Sequence, residues 1–194
     1  MNNKINWISE LNVILNSAEA KIDGKKVNLG IALDIFEKLF IEVKEKKSNV
    51  WWVGNGGSSA ICSHLSQDVL NKLGIKSFCF SDASLVTCMA NDFGYEDVYS
   101  KPLTVYLQKN DLLIAISSSG ESKNILNCVD YAQKNNINII TLSAFDENNQ
   151  LWNRDAALSL FLECNLYGHA EIGHAALCHA VIETLWKKNI EDFH

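Results

Sequence analysis

The chain has 194 residues, 47% of them hydrophobic, which is enough for one domain with a sizeable core and short for two. Its formal charge is −6, and no Lys/Arg run carries interleaved aromatics, so nucleic acid and anionic membranes are excluded as expected partners. A small anion stays open, because backbone amides and hydroxyls hold phosphate through local dipoles rather than net charge.

Ten Gly, one Pro (Pro102), no linker-like stretch and no solenoid repeat leave residues 1–194 as a single expected domain. Six cysteines (Cys62, Cys79, Cys88, Cys128, Cys164, Cys178) show no C-x-x-C and fall mostly in apolar periodic segments, as buried free thiols in a reducing cytoplasm do. The first residues, MNNKINWISELNVILNSAEAKI, lack a contiguous apolar core and a small-residue cleavage site. No other stretch approaches a membrane span, so the expected location is cytoplasmic.

In chain order, Ile5, Ile8, Leu11, Ile14 and Leu15, then Ile31, Leu33, Ile35, Leu39, Ile41 and Val43, recur at helical spacing. Residues 1–47 therefore read as an N-terminal helix pair, whose stripes suit either the sheet or a neighbouring subunit. Residues 48–194 change texture. Val50 to Val53, Ser77 to Phe80, Leu112 to Ile116, Ile137 to Leu142 and Leu158 to Leu162 read as five buried strands. Helical patterns lie at about 58–73, 84–107, 122–135, 147–153 and 170–190. The alternation predicts an α/β, doubly wound, five-stranded parallel sheet, with ligands beyond the carboxyl ends of the strands near a switch point.

Two loops fall there. Gly54-Asn55-Gly56-Gly57-Ser58-Ser59 follows a strand and opens a helix; Gly56 and Gly57 let the backbone approach an anion, and Ser58 and Ser59 offer hydroxyls. It matches neither a Walker A nor a G-x-G-x-x-G sequence, and alone it also suits a tight turn that binds nothing. Ser117-Ser118-Ser119-Gly120-Glu121-Ser122 sits between a strand and a helix beginning near Lys123. Its four hydroxyls exceed what capping needs and suit the terminal oxygens of a phosphate.

His64 and Asp68 are four residues apart, on one helix face. Such a pair shares a metal, transfers a proton or stands as a solvated ion pair; the loop just upstream favours the first two. On the last helix, Glu171 and His179 lie within ~80° of each other but ~12 Å apart along the axis, and His174 points ~140° away from His179. His174 therefore reads as a packing residue or one that supports the ligands from behind.

With GNGGSS (54–59), SDASLVTCMANDFGYED (81–97), ISSSGESKNIL (116–126) and a C-terminal E-x-x-H-x-x-x-x-H (171–179), the sequence resembles the SIS (sugar isomerase) domain family. Within it the likeness is to phosphoheptose isomerases of the sedoheptulose 7-phosphate type, over essentially the whole chain. The resemblance implies a flavodoxin-like SIS fold, phosphate contacts from Ser117, Ser119 and Ser122, and sugar contacts near Asn55, Ser58 and Asp92. It implies a divalent metal, often zinc, on His64, Asp68, Glu171 and His179, with Asp68 and His179 as the catalytic acid/base pair. It also implies a homotetramer with sites at subunit interfaces, acting on a sugar phosphate by aldose–ketose isomerisation through an enediol. In the family Glu usually stands at the position of Asp68, Gln often at Glu171, and a substrate-binding Arg commonly at Lys72. A non-catalytic SIS protein that senses a sugar phosphate or bridges partners is the alternative.

Overall fold

The structure, a computed structural model, describes residues 3–191. It opens with α1 (Asn3–Asn16), a hairpin of β1 (Glu19–Ile22) and β2 (Lys25–Val27), and α2 (Leu29–Glu45). The hairpin corrects the expected helix pair. Its cause is local: Ile22 pairs with Lys25 across a two-residue turn, and Asp23 and Gly24 both take positive φ, 47° and 76°. Asp-Gly is the favoured sequence for such a turn, because its twist matches that of the flanking strands.

The chain continues with β3 (Asn49–Gly54), α3 (Gly56–Leu73), β4 (Lys76–Cys79), α4 (Ala83–Phe93) and α5 (Ser100–Tyr106). Then come β5 (Leu112–Ile116), α6 (Lys123–Lys134), β6 (Asn138–Ala144), β7 (Leu158–Leu162) and α7 (Tyr167–Glu191). The sheet order is β2-β1-β7-β6-β5-β3-β4. Among the described residues the sheet is thus seven-stranded and mixed, not five-stranded and all parallel, because β1 adds to β7 antiparallel. Strands β4, β3, β5, β6 and β7 pair parallel, and the winding reverses between β3 and β5. A crevice opens beyond the carboxyl ends of strands at such a reversal.

Side chains of the strands alternate between two cores. Trp52, Ile114, Leu142 and Leu160 face α2, α3 and α7, whereas Trp51, Val53, Leu113 and Ile139 face α5 and α6. Each fully buried side chain of this size contributes about 1.5–3 kcal/mol. Both buried indoles keep a polar partner: Trp51 Nε1 donates to Asp111 Oδ2 at 3.0 Å and Trp52 Nε1 to Ser77 Oγ at 2.9 Å.

Two expected helices differ. The pattern at 84–107 splits at Gly94, with a short 3-10 turn over Tyr95–Asp97 before α5. Residues 147–153 form turns, because Asn149 satisfies the backbone itself: Nδ2 donates to Asp146 O at 2.6 Å and Oδ1 accepts from Trp152 N at 2.8 Å. All six cysteines are free, and Cys88 is exposed while Cys62, Cys128, Cys164 and Cys178 are buried. No helix among the described residues is long and apolar enough to cross a membrane.

Candidate functional site

At the winding reversal, Asn55, Gly56, Gly57 and Ser58 of the first loop meet Ser117, Ser118, Ser119 and Ser122 of the second around a cavity of about 240 Å³. Tyr167 and Glu171, from the start of α7, close its side. Helix capping explains what the cavity offers. Away from it, Asn28 caps α2 by accepting from Gly30 N, and Asp82 caps α4 by accepting from Leu85 N. At the cavity, α3 begins after Asn55 and α6 after Ser122 without a side-chain cap bond. The first-turn amides of both helices are thus free of side-chain acceptors, and each helix end carries a partial positive charge, an arrangement that suits an anion.

The loops are held from behind. Asn55 Nδ2 donates to Asn124 Oδ1 at 2.9 Å, and Asn124 Nδ2 returns a bond to Asn55 Oδ1 at 2.8 Å. Tyr95 Oη also donates to Asn55 Oδ1, at 3.2 Å. The second loop turns at Gly120, whose φ is +68° and whose Cα faces the Asn149 side chain with no room for a Cβ. Ser117 Oγ donates to Ser122 Oγ at 3.2 Å, so these hydroxyls share one spot. Asn124 falls within the ISSSGESKNIL stretch, but no local pattern assigns a role to it or to Tyr167; their roles depend on tertiary contact.

Helices α3 and α7 both start at this cavity and run alongside each other, as three successive contacts between them show. The Glu171 carboxylate lies over Gly57, where a Cβ would collide with it. Further along, His179 Nδ1 is 3.6 Å from Asp68 Oδ2, and one turn beyond, Lys72 Nζ donates to Glu183 Oε1 at 2.9 Å. His64 Nε2 lies 3.9 Å from the same Asp68 oxygen, and its ring centroid is 5.3 Å from that of His179. Lys72 Nζ donates to Asp68 Oδ2 as well, at 3.0 Å. Glu183 first and Asp68 second hold the Lys72 ammonium above its ordinary pKa, and Lys72 in turn lowers that of Glu183. Glu183 went unmarked in the sequence, although it follows His179 by one helical turn.

His64, Asp68 and His179 place one ligand atom each within 4.8 Å of one another. Donors ~2.0–2.1 Å from a tetrahedral ion stand roughly 3.3–3.5 Å apart, so the 3.6 and 3.9 Å from Asp68 to the two imidazoles are close to that spacing, and the two imidazoles, within 4.8 Å of each other, close around an ion with a shift on the order of an ångström. His179 Nδ1 is moreover buried without a hydrogen-bond partner, an orphan that a metal would satisfy. The trio therefore fits a divalent metal. Glu171 stands outside it, at the phosphate loops. Asp92 lies outside the cavity too, exposed on α4, where Asn91 Nδ2 donates to it at 2.8 Å. His174 is fully buried, its Nε2 is 3.0 Å from Ser143 O, and burial pushes its pKa down to about 4. A larger cavity of about 560 Å³ lies between α1 and the segment leading to α7, but Glu10 and Glu163 on its wall disfavour an anion.

Residues 16–144 match the SIS domain family. The chain belongs to that family. This SIS domain is 38% identical over 98 residues to a phosphoheptose isomerase of Histophilus somni, and 39% over 99 residues to one of Coxiella burnetii. In both cases the match covers 48% of the chain and 50% of the relative, about half the length of each. Among solved structures, the SIS domain superimposes on a phosphoheptose isomerase of Neisseria gonorrhoeae with a TM-score of 0.80 and 21% identity, covering 94% of this chain and 97% of the other. For a phosphoheptose isomerase of Francisella tularensis the TM-score is 0.78 at 21% identity, covering 95% and 97%.

Proposed function

We propose that the chain is a sugar-phosphate isomerase that interconverts sedoheptulose 7-phosphate and D-glycero-D-manno-heptose 7-phosphate through an enediol. The observation that carries this reading is that one helix, α3, bears both the N-terminal phosphate loop and, further along, His64 and Asp68, with His179 brought in from α7. A phosphate gripped by Ser117, Ser119, Ser122 and the amides at Gly56, Gly57 and Ser58 anchors the far end of the sugar. His64 follows Ser58 by six residues, roughly 9 Å along the axis. A seven-carbon phosphate spans that length; a three-carbon one does not.

Asp68, as base, takes the proton from C1 of the ketose and returns it to C2, while His179 moves the proton between the two oxygens. A divalent metal on His64, Asp68 and His179, when bound, supplies polarisation of those oxygens. Asp, with a carboxylate one methylene shorter than Glu, serves if the substrate lies about an ångström closer, since misplacement of that size costs ~100-fold. The exposed Ile5, Ile8 and Val13 of α1 offer apolar surface for a homotetramer, and six free cysteines suit a cytoplasmic setting.

One observation favours the second reading, a SIS protein that binds a sugar phosphate without turning it over: the Asp68 oxygen is already engaged by Lys72. The deciding assay incubates the full chain with sedoheptulose 7-phosphate, with and without zinc, and follows aldose formation. Turnover that His179→Ala abolishes is the expected result. Binding without turnover by the wild type, or unchanged turnover in His179→Ala, discards the isomerase in favour of the binding protein.

A further inference from the structure

The ammonium of Lys72 is held in place from three sides. It donates to Asp68 Oδ2 at 3.0 Å and to Glu183 Oε1 at 2.9 Å, and it sits 5.7 Å from the Trp186 ring centroid. The Lys72 side chain is 19% exposed and the Asp68 side chain 8%, so the contact between them is largely shielded, whereas the Glu183 end is open to solvent. The Asp68 oxygen it engages is also the one nearest to both imidazoles, 3.9 Å from His64 Nε2 and 3.6 Å from His179 Nδ1. Every short approach to that oxygen among these groups is therefore a contest between one fixed cation and whatever the imidazoles would coordinate.

We propose that Lys72 is a built-in counter-cation that competes with a divalent metal for Asp68, with Glu183 as the dock that keeps Lys72 in the contest. This rests on the reading of His64, Asp68 and His179 as a metal-holding trio. An ion placed among the three would stand within a few ångströms of the ammonium and repel it. Binding then requires Lys72 to leave Asp68 while it keeps its bond to Glu183 Oε1, an oxygen that itself stands 4.0 Å from His179 Nδ1. The affinity for metal is lowered by the free energy of that displacement, and by linkage the metal loosens Lys72 as much as Lys72 weakens the metal. The metal is thus exchangeable rather than permanently seated, although its donor set alone would hold it tightly.

The test titrates Co²⁺ into metal-free full-length protein and reads the visible absorption of the bound ion, so no turnover is needed. Lys72→Met should bind Co²⁺ at least roughly tenfold more tightly than wild type, the effect of removing one nearby positive charge. Lys72→Arg, which keeps the charge, should stay near wild type. In the wild type itself, amine acylation of Lys72 read by mass spectrometry should accelerate on adding Co²⁺, against Lys188 as an internal control paired with Glu37 at 2.7 Å. Equal Co²⁺ affinity in wild type and Lys72→Met, with acylation of Lys72 unchanged by the ion, overturns the competition while leaving the metal site standing. No Co²⁺ spectrum in either protein overturns the metal reading as well. The acylation arm uses unmutated protein, so a variant that fails to fold does not remove the test.

Discussion

Asn55 and Asn124 exchange both of their side-chain amide bonds, at 2.9 and 2.8 Å, and so bolt the first phosphate loop to the helix that follows the second. Asn124 is 2% exposed, while Asn55 is half-buried at the edge of the cavity. Asn124→Ala should lower stability by about 1–3 kcal/mol, because the Asn55 amide is left partly unpaired. It should also weaken sugar-phosphate binding, since the two helix ends no longer hold a common centre. Denaturant unfolding and equilibrium binding of sedoheptulose 7-phosphate check the two effects separately. Lost stability with undiminished affinity would make Asn124 a packing residue only.

The carboxylate over Gly57 faces the place where a phosphate is proposed to sit. Glu171 there competes with any incoming anion for the partial positive charge at the N-terminus of α3. Glu171→Gln keeps the shape and removes the repulsion. In the presence of a chelator, its affinity for sedoheptulose 7-phosphate should rise by a few-fold to tenfold, the scale of one unit charge near a protein surface. Isothermal titration at two salt concentrations checks it: the wild type should gain affinity with added salt relative to the variant, as screening weakens the repulsion. A fall in affinity would mean that Glu171 contacts the sugar rather than opposing the phosphate.

The two loops were legible because each combines a strand end, a run of small residues and a helix start within ten residues, which is all local information. Strand positions in the core were legible for the same reason, with apolar runs such as Leu112 to Ile116 buried on both faces. The hairpin at Asp23–Gly24 carries its turn signal in the sequence, but the flanking strands, four and three residues long, are too short to show a strand period. The resemblance groups Glu171 with His179 as metal ligands, but they stand ~12 Å apart along the helix axis and the Glu171 carboxylate lies over Gly57. Lys72 and Glu183 belong to different helices 111 residues apart in sequence, and no periodicity announces such a pair.

His174 should make the fold acid-labile. Its imidazole is buried and neutral, with a pKa pushed by burial from 6.5 to about 4 and opposed only by the Ser143 carbonyl. Above pH 6.5 neither the folded nor the unfolded state protonates this group, and its stabilising contribution is complete. As pH falls below 6.5 the unfolded chain binds a proton that the folded chain refuses, so stability declines until about pH 4, where the loss levels off. Across that window the loss is on the order of 3 kcal/mol. Denaturant melts at pH 7, 6, 5 and 4 should show this slope in wild type and a flatter one in His174→Leu. Parallel slopes would place the titration elsewhere.

Gly120 is the residue whose replacement separates fold from site most cleanly. At φ +68° an alanine pays about 1–2 kcal/mol for its left-handed backbone, and its Cβ would run into Asn149. Asn149 has little freedom to yield, since Nδ2 is bonded to Asp146 O at 2.6 Å and Oδ1 to Trp152 N at 2.8 Å. Gly120→Ala should therefore cost about 2–4 kcal/mol, strain and overpacking together, and displace Ser117, Ser119 and Ser122 from their shared centre. The sheet does not pass through Gly120, so circular dichroism should remain that of the wild type while sugar-phosphate binding is lost. Adding Asn149→Ala to this variant removes the collision but leaves the φ strain. Partial recovery of binding in the double variant locates the damage in the collision at the loop, whereas no recovery assigns it to the backbone of Gly120 alone.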